Sequence, residues 1–158
     1  MEPGTQGQVV GLFVGADPGG PMQPVDEVEA VAGRGLVGDR YLAGGDDHDP
    51  TEEITLFARE EVDAANETAD VTIDAVDLRR NVMVAGVDLR EPRSGALAVG
   101  DVVIDAIEAN PPCAHLQRLA GKALLAPLAH GGGVRGRIRG GGTIRQGDAV
   151  RWLEDATG

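Results

Sequence analysis

The run "LAVGDVVIDAIEANPPCAHL", residues 97–116, decides how this chain is to be read. Valine and isoleucine crowd "DVVIDAIEA", and β-branched side chains suit a pleated strand better than a helix. Gly100 and Asp101 in front of them are turn chemistry. Pro111 and Pro112 then fix φ and hold the approach to the next residues extended. Directly behind them stands Cys113, the one cysteine of the chain. The run therefore raises two questions, what fold the strands build and what the thiol is for.

Outward from this run the same grammar repeats. "IRQGDAVRW" also places Gly-Asp before an apolar run, which is repeated turn chemistry and not an internal repeat. "GQVVGLFVG", "EITLF" and "NVMVAG" read as strands, and "PVDEVEAVAG" alternates well enough for another, although its acids leave a helix open. "AREEVDAANET" is the one convincing helix, with Val62 and Ala65 on its apolar side and acids early. "GRGLVGDRYLAGGDDHDP" is glycine-rich loop, and "CAHLQRLAGKALLAPLAH" is helical in pieces, broken at Gly121 and Pro127. "VRGRIRGGGTIRQGDAVRWL" supplies two or three closing strands, while "GGDDHDP" and "EDATG" read as mobile. Short strands, tight glycine turns and few helices predict a mainly β fold, a partly closed antiparallel β-barrel with a few short helices at its rim.

With 158 residues, 42% of them hydrophobic but only 3% aromatic, a single domain with an aliphatic core is expected. No apolar run is long enough to cross a bilayer, "MEPGTQGQVV" shows no secretory signal, and one cysteine makes no internal disulfide. The expected location is the cytoplasm. A formal net charge of −12 argues against nucleic acid and anionic membrane as partners. The acid is unevenly spread, however. Between Glu108 and Asp148 there is no Asp or Glu, and Arg118, Lys122, Arg135, Arg137, Arg139 and Arg145 make that window positive.

Cys113 lies in this positive window, near the start of a helical segment, where orphan N–H groups and neighbouring cations favour a thiolate. A thiolate is both nucleophile and metal ligand; the alternative is a small buried hydrophobe. In "DLRRNVMVAG", Arg79 and Arg80 offer guanidinium forks for phosphate or carboxylate and Asn81 an amide for a polar ring, or else solvated charge at a strand end. In "GRGLVGDRYL", the glycines let backbone N–H groups approach an anion beside Arg40, or Asp39 merely caps the next amides. Arg135, Arg137 and Arg139 alternate, so a strand presents all three on one face, toward water or a bound anion. Cys113, His115 and His130 match no zinc spacing, Ser94 lacks a nucleophile elbow, and Lys122 has no pyridoxal-phosphate domain around it.

Taken in order, "GLVGDRY" (35–41), "ITLFAREEV" (54–62), "LRRNVMVAGVDL" (78–89), "LAVGDVVIDAIEANPPCAHL" (97–116) and "GVRGRIRGGGTIRQGDAV" (133–150) resemble the MOSC domain, named for the C-terminal part of molybdenum-cofactor sulfurase. The resemblance is to the small stand-alone type. It implies one domain over residues 1–158, with a core at about 8–153, that binds molybdenum-molybdopterin or handles sulfur. It assigns Cys113 as the sulfur-bearing residue or molybdenum ligand, and Arg79, Asn81 and Arg40 as cofactor contacts. Arg80, Arg135 and Arg137 complete the expected anion-binding set. Two activities follow as expectations. One is reduction of a small N-hydroxylated compound, with Cys113 on molybdenum and an electron-transfer protein as partner. The other is sulfur carriage, with Cys113 accepting a persulfide from a desulfurase that itself holds the pyridoxal phosphate. The chain departs from the larger members in lacking their N-terminal barrel domain and the desulfurase module. Pro111 and Tyr41 stand where those members favour a polar residue and a histidine.

Overall fold

The structure, a computed structural model, describes residues 6–17, 20–39, 53–89, 96–109 and 133–153, without the side chains of 106–109. Arg40, Cys113, the helical reading of 113–130 and the two stretches read as mobile lie outside these residues.

In chain order the elements are β1 (Gln6–Val14), β2 (Gln23–Pro24), β3 (Glu27–Val31), β4 (Gly35–Leu36), β5 (Ile54–Ala58), α1 (Arg59–Thr68) and β6 (Val82–Ala85). They continue with β7 (Leu97–Val99), β8 (Val102–Ala109), β9 (Val134–Gly140), β10 (Gly142–Arg145) and β11 (Ala149–Trp152). A 3-10 turn, Ala75–Leu78, precedes β6. Seven strands close into a barrel in the order β11-β7-β8-β9-β5-β6-β1, with β1 pairing back onto β11 and β2 attached to β1. A smaller sheet, β10-β3-β4, is joined to it where Gly33 N donates to Ile138 O.

The barrel expected from the short strands is there, but it closes fully and is mixed. β5 and β6 run parallel, with Leu56 opposite Val82, because α1 carries the chain back across the outside. That crossover explains why "ITLFA" is apolar on both faces apart from Thr55. Leu56 and Ala58 face the interior, while Phe57 faces out and is still buried, under α1. Val62 and Ala65, three apart on α1, close over Phe57, Phe13 and Leu78 to make a second apolar cluster outside the wall. Glu60 and Glu61 sit in the first turn of α1, where the helix dipole favours acid, and Glu60 Oε2 accepts from Gly86 N at 2.7 Å. Inside the barrel, Leu12, Ile54, Leu56, Val82, Ile104 and Ile138 are each at most 1% exposed. Burial of this aliphatic surface is the main driving force for closure.

The two Gly-Asp pairs do act as turns. Gly100 (φ 58) and Gly147 (φ 90) both take the left-handed conformation, and the turns meet where Gly100 N donates to Ala149 O at 2.8 Å. Along β9 burial alternates: Val134, Gly136 and Ile138 point inward, Arg135 is half-buried, and Arg137 and Arg139 are exposed.

Candidate functional site

Register places the predicted residues on neighbouring strands. Thr55 on β5 is opposite Arg135 on β9. Thr55 is also beside Asn81, one residue before the Leu56–Val82 pair that joins β5 to β6. On the far side, Phe13 lies one residue beyond the Leu12–Val82 pair that joins β1 to β6. Arg135, Thr55, Asn81 and Phe13 thus form a row across the outer wall of four adjacent strands.

Asn81 is the knot in that row. It is only 4% exposed, and its Oδ1 accepts from Thr55 N at 3.2 Å and from Thr55 Oγ1 at 3.0 Å. Its Nδ2 donates to Phe13 O at 3.2 Å and to Asp39 Oδ1 at 3.3 Å, while its own N–H donates to Thr55 Oγ1 at 2.9 Å. Asp39, also buried, accepts at the same Oδ1 from Gly15 N at 2.9 Å. The aspartate thus reaches back to the end of β1; the amides after it, which it was expected to cap, lie outside the described residues. Two turns distant in sequence are tied together by one carboxylate oxygen.

Arg79 and Arg80 lead into this knot. Arg79 ends the 3-10 turn at φ 53, a left-handed conformation that costs a residue with a Cβ roughly 1–2 kcal/mol. Its Nη1 donates to Gly20 O, and Arg80 Nη1 donates to Leu78 O at 3.1 Å. Both guanidinium groups are half-buried and anchored to backbone, which limits the freedom each would lose on gripping an anion. Such strain, found at a cationic residue, is a pattern that marks functional sites.

The other arginines divide. Arg135 stays with the row. Arg137 and Arg139 lie further along the outside of β9 and both bond Asp105 of β8, Arg137 Nη2 at 3.1 Å from Oδ2 and Arg139 at Oδ1. Burial of Asp105 raises its pKa, but the hydrogen bonds and charges of Arg139 and Arg137 outweigh that and hold the carboxyl below its usual range. A lowered pKa means that the unfolded chain binds more protons, so the stabilisation is complete above the ordinary carboxylate range and fades as pH falls through it. With Arg137 and Arg139 more than half exposed, screening keeps the effect below about 1 kcal/mol. In thermal melts, Asp105→Asn is expected to lower Tm slightly at pH 7. The gap should stay constant down to about pH 5 and close toward pH 3.

Glu53 went unnoticed in the sequence. It is 1% exposed at the head of β5, and its Oε1 accepts from Ile138 N at 2.9 Å. Its signal was an acid set directly against a largely apolar strand. A shallow cleft of about 380 Å³ opens beside α1 and the β6–Leu89 stretch, but Glu60, Glu61 and Asp88 line it, the wrong charge for a phosphate. Among the described residues no group of three or more His, Cys, Asp or Glu is placed to hold a metal ion, and no helix is long and apolar enough to cross a membrane.

Cys113 lies outside the described residues, but both roots of its segment are fixed. The chain leaves β8 at Ala109 and re-enters at Val134, these two residues pair, and Val134 pairs in turn with Leu56. Both roots are therefore one residue along from Arg135 and Thr55. β8 runs the same way as β5 and β6, and its last residue, Ala109, stands level with Val82, the first residue of β6.

Solved structures share this architecture. YuaD from Bacillus subtilis superposes with a TM-score of 0.78 at 18% identity, over 94% of this chain and 97% of that one. YiiM from Geobacillus stearothermophilus gives 0.69 at 17% identity, over 96% and 77%. YiiM from Escherichia coli gives 0.65 at 15% identity, over 94% and 71%. At such identities the likeness speaks for the fold. No match was found among curated proteins. The family model for the MOSC domain matches residues 39–151, from the aspartate of the buried knot to the closing strand. That span covers well over half of the chain and includes the arginine-asparagine turn and the cysteine segment, so the chain belongs to the MOSC domain family, which is associated with molybdenum cofactor binding.

Proposed function

We propose that this chain binds molybdenum-molybdopterin and supports reduction of a small N-hydroxylated compound, with Cys113 as the sulfur ligand to the metal. The observation that carries this reading is the placement of Arg135, Thr55 and Asn81, the last residue of the Arg79–Arg80–Asn81 stretch, in one row beside the row of Ala109 and Val134, the two roots of the segment that bears the thiol.

The donor set fits the group. Guanidinium forks match a phosphate bidentately, and a thiolate is the kind of soft ligand that molybdenum accepts. Arg79 and Arg80, anchored by Gly20 O and Leu78 O, would hold the phosphate with Arg135, and Arg40 would join them from its place beside Asp39. Arg137 serves the Asp105 ion pair on the outer wall, which leaves it a minor part. The absence of acid from residue 109 to 147 lets the surrounding cations keep the Cys113 thiol ionised. The cofactor, when bound, supplies the two-electron chemistry; the chain supplies binding, orientation and charge. A reduction needs electrons from elsewhere, so a redox protein partner belongs to this reading.

Protein purified from a host with intact pterin synthesis and ample molybdate should carry stoichiometric molybdenum. Cys113→Ser should retain the fold and lose metal by roughly tenfold or more. A wild-type protein that is folded and metal-free under these conditions would overturn the proposal.

A further inference from the structure

Asn81 has no hydrogen-bonding capacity left for a ligand. A carboxamide offers two N–H donors and two acceptor lone pairs, and all four are engaged, by Thr55 N, Thr55 Oγ1, Phe13 O and Asp39 Oδ1. The orientation of the amide is settled by chemistry, because Thr55 N can only donate and Phe13 O can only accept. From this we infer that Asn81 and Asp39 are positioning residues: a buried clasp that sets the arginines around it for an anionic ligand and does not touch that ligand. The inference deepens the phosphate-holding reading above and rests on it.

The placement of the arginines gives the clasp its purpose. Two of its three polar side chains adjoin one of them. Arg80 directly precedes Asn81. Arg135 lies opposite Thr55 in the β5–β9 register. Asp39 Oδ1 bonds both Gly15 N and Asn81 Nδ2, so the end of β1 and the Arg79–Arg80 turn share one anchor. Arg79 is held at φ 53 just ahead of this anchor, against its steric preference. A backbone kept in a disfavoured state needs a neighbour that over-determines it, and the clasp is that neighbour.

The test uses inorganic phosphate as the probe, titrated into the cofactor-free 158-residue chain. The variants are Asp39→Ala, which removes the shared oxygen, and Asp39→Asn, which can keep a carbonyl oxygen in its place. Thr55→Val removes the hydroxyl behind the Asn81 N–H and serves if Asp39→Ala does not fold. Phosphate affinity should fall roughly tenfold or more in Asp39→Ala and several-fold in Thr55→Val, and stay within about twofold of wild type in Asp39→Asn. Amide hydrogen exchange across 79–82 should quicken in the first two and not in the third. A folded Asp39→Ala, or failing that Thr55→Val, with wild-type affinity overturns the inference. So does an Asp39→Asn as weak as Asp39→Ala, which would assign the effect to charge, and so does a wild type that ignores phosphate. A wild type that carries no molybdenum when purified from a host with intact pterin synthesis, yet binds phosphate in this pattern, sinks the molybdenum reading alone.

Discussion

Gly133→Ala should unfold the protein or leave it barely stable, while Gly147→Ala should be tolerated. Both glycines hold the same left-handed backbone, at φ 91 and φ 90. They differ in their surroundings. A Cβ on Gly147 meets nothing within 4 Å, so that substitution bears only the conformational cost of about 1–2 kcal/mol. On Gly133 the Cβ would lie 1.8 Å from Leu56 O and 2.8 Å from Phe57 Cα. Those are backbone atoms of a central strand, and they cannot rotate aside. Relief requires parting β9 from β5 where Val134 pairs with Leu56, beside the row that carries Arg135 and Thr55. A loss above about 4 kcal/mol is expected, in the range reserved for a few severe mechanisms. Melting curves of the pair decide it: Gly133→Ala should fall at least about 5 °C beyond Gly147→Ala, at roughly 2–4 °C per kcal/mol for a chain of this size. Equal melting temperatures would mean that β9 is not seated as described.

Asn81→Leu is the second large effect. Leucine fills much of the volume but answers none of the hydrogen bonds. Thr55 N and Phe13 O lose the side-chain partners they have in the folded chain, and Asp39 Oδ1 loses the Asn81 Nδ2 donor. Each buried polar group left unmatched costs about 1–3 kcal/mol, so a total of roughly 3–5 kcal/mol is expected after the apolar gain is set against it. Asn81→Asp should fare no better at neutral pH. It would set a second carboxylate oxygen near Phe13 O and Asp39 Oδ1, where Asn81 Nδ2 now donates at 3.2 and 3.3 Å. Denaturant titration of wild type, Asn81→Leu and Asn81→Asp measures both losses directly. A change under about 1 kcal/mol in either variant would show that solvent replaces the clasp.

Several elements were legible because their cause is local. Val62 and Ala65 with early acids announce α1, and the β-branched runs announce β6 and β8. The Gly-Asp pairs announce turns that the backbone then takes at Gly100 and Gly147. The Arg79–Arg80–Asn81 stretch was legible as a candidate site by residue type, although not in its division of labour. An asparagine beside two arginines looks like a third ligand contact; only the positions of Thr55, Phe13 and Asp39 show that its amide is fully used inside. Glu53 was missed because a partner it serves is brought to it only by the fold. Its partner, Ile138 N, is a long way down the chain. Arg135, Arg137 and Arg139 look equivalent by spacing, but Asp105 takes two of them and leaves the third in the row.

What the sequence settled by itself is the strand-rich class, the turns, the helix and the inventory of chemically apt side chains, since period, β-branching and glycine act over a few residues. Closure of the barrel, the parallel β5–β6 pair and the role of each polar residue were decided only by the tertiary structure. Hydrogen bonds such as Asn81 to Asp39 and Glu53 to Ile138 join residues 42 and 85 positions apart. Whether a polar group binds a ligand or its own fold depends on which partners arrive beside it, and that arrival is fixed by strand register.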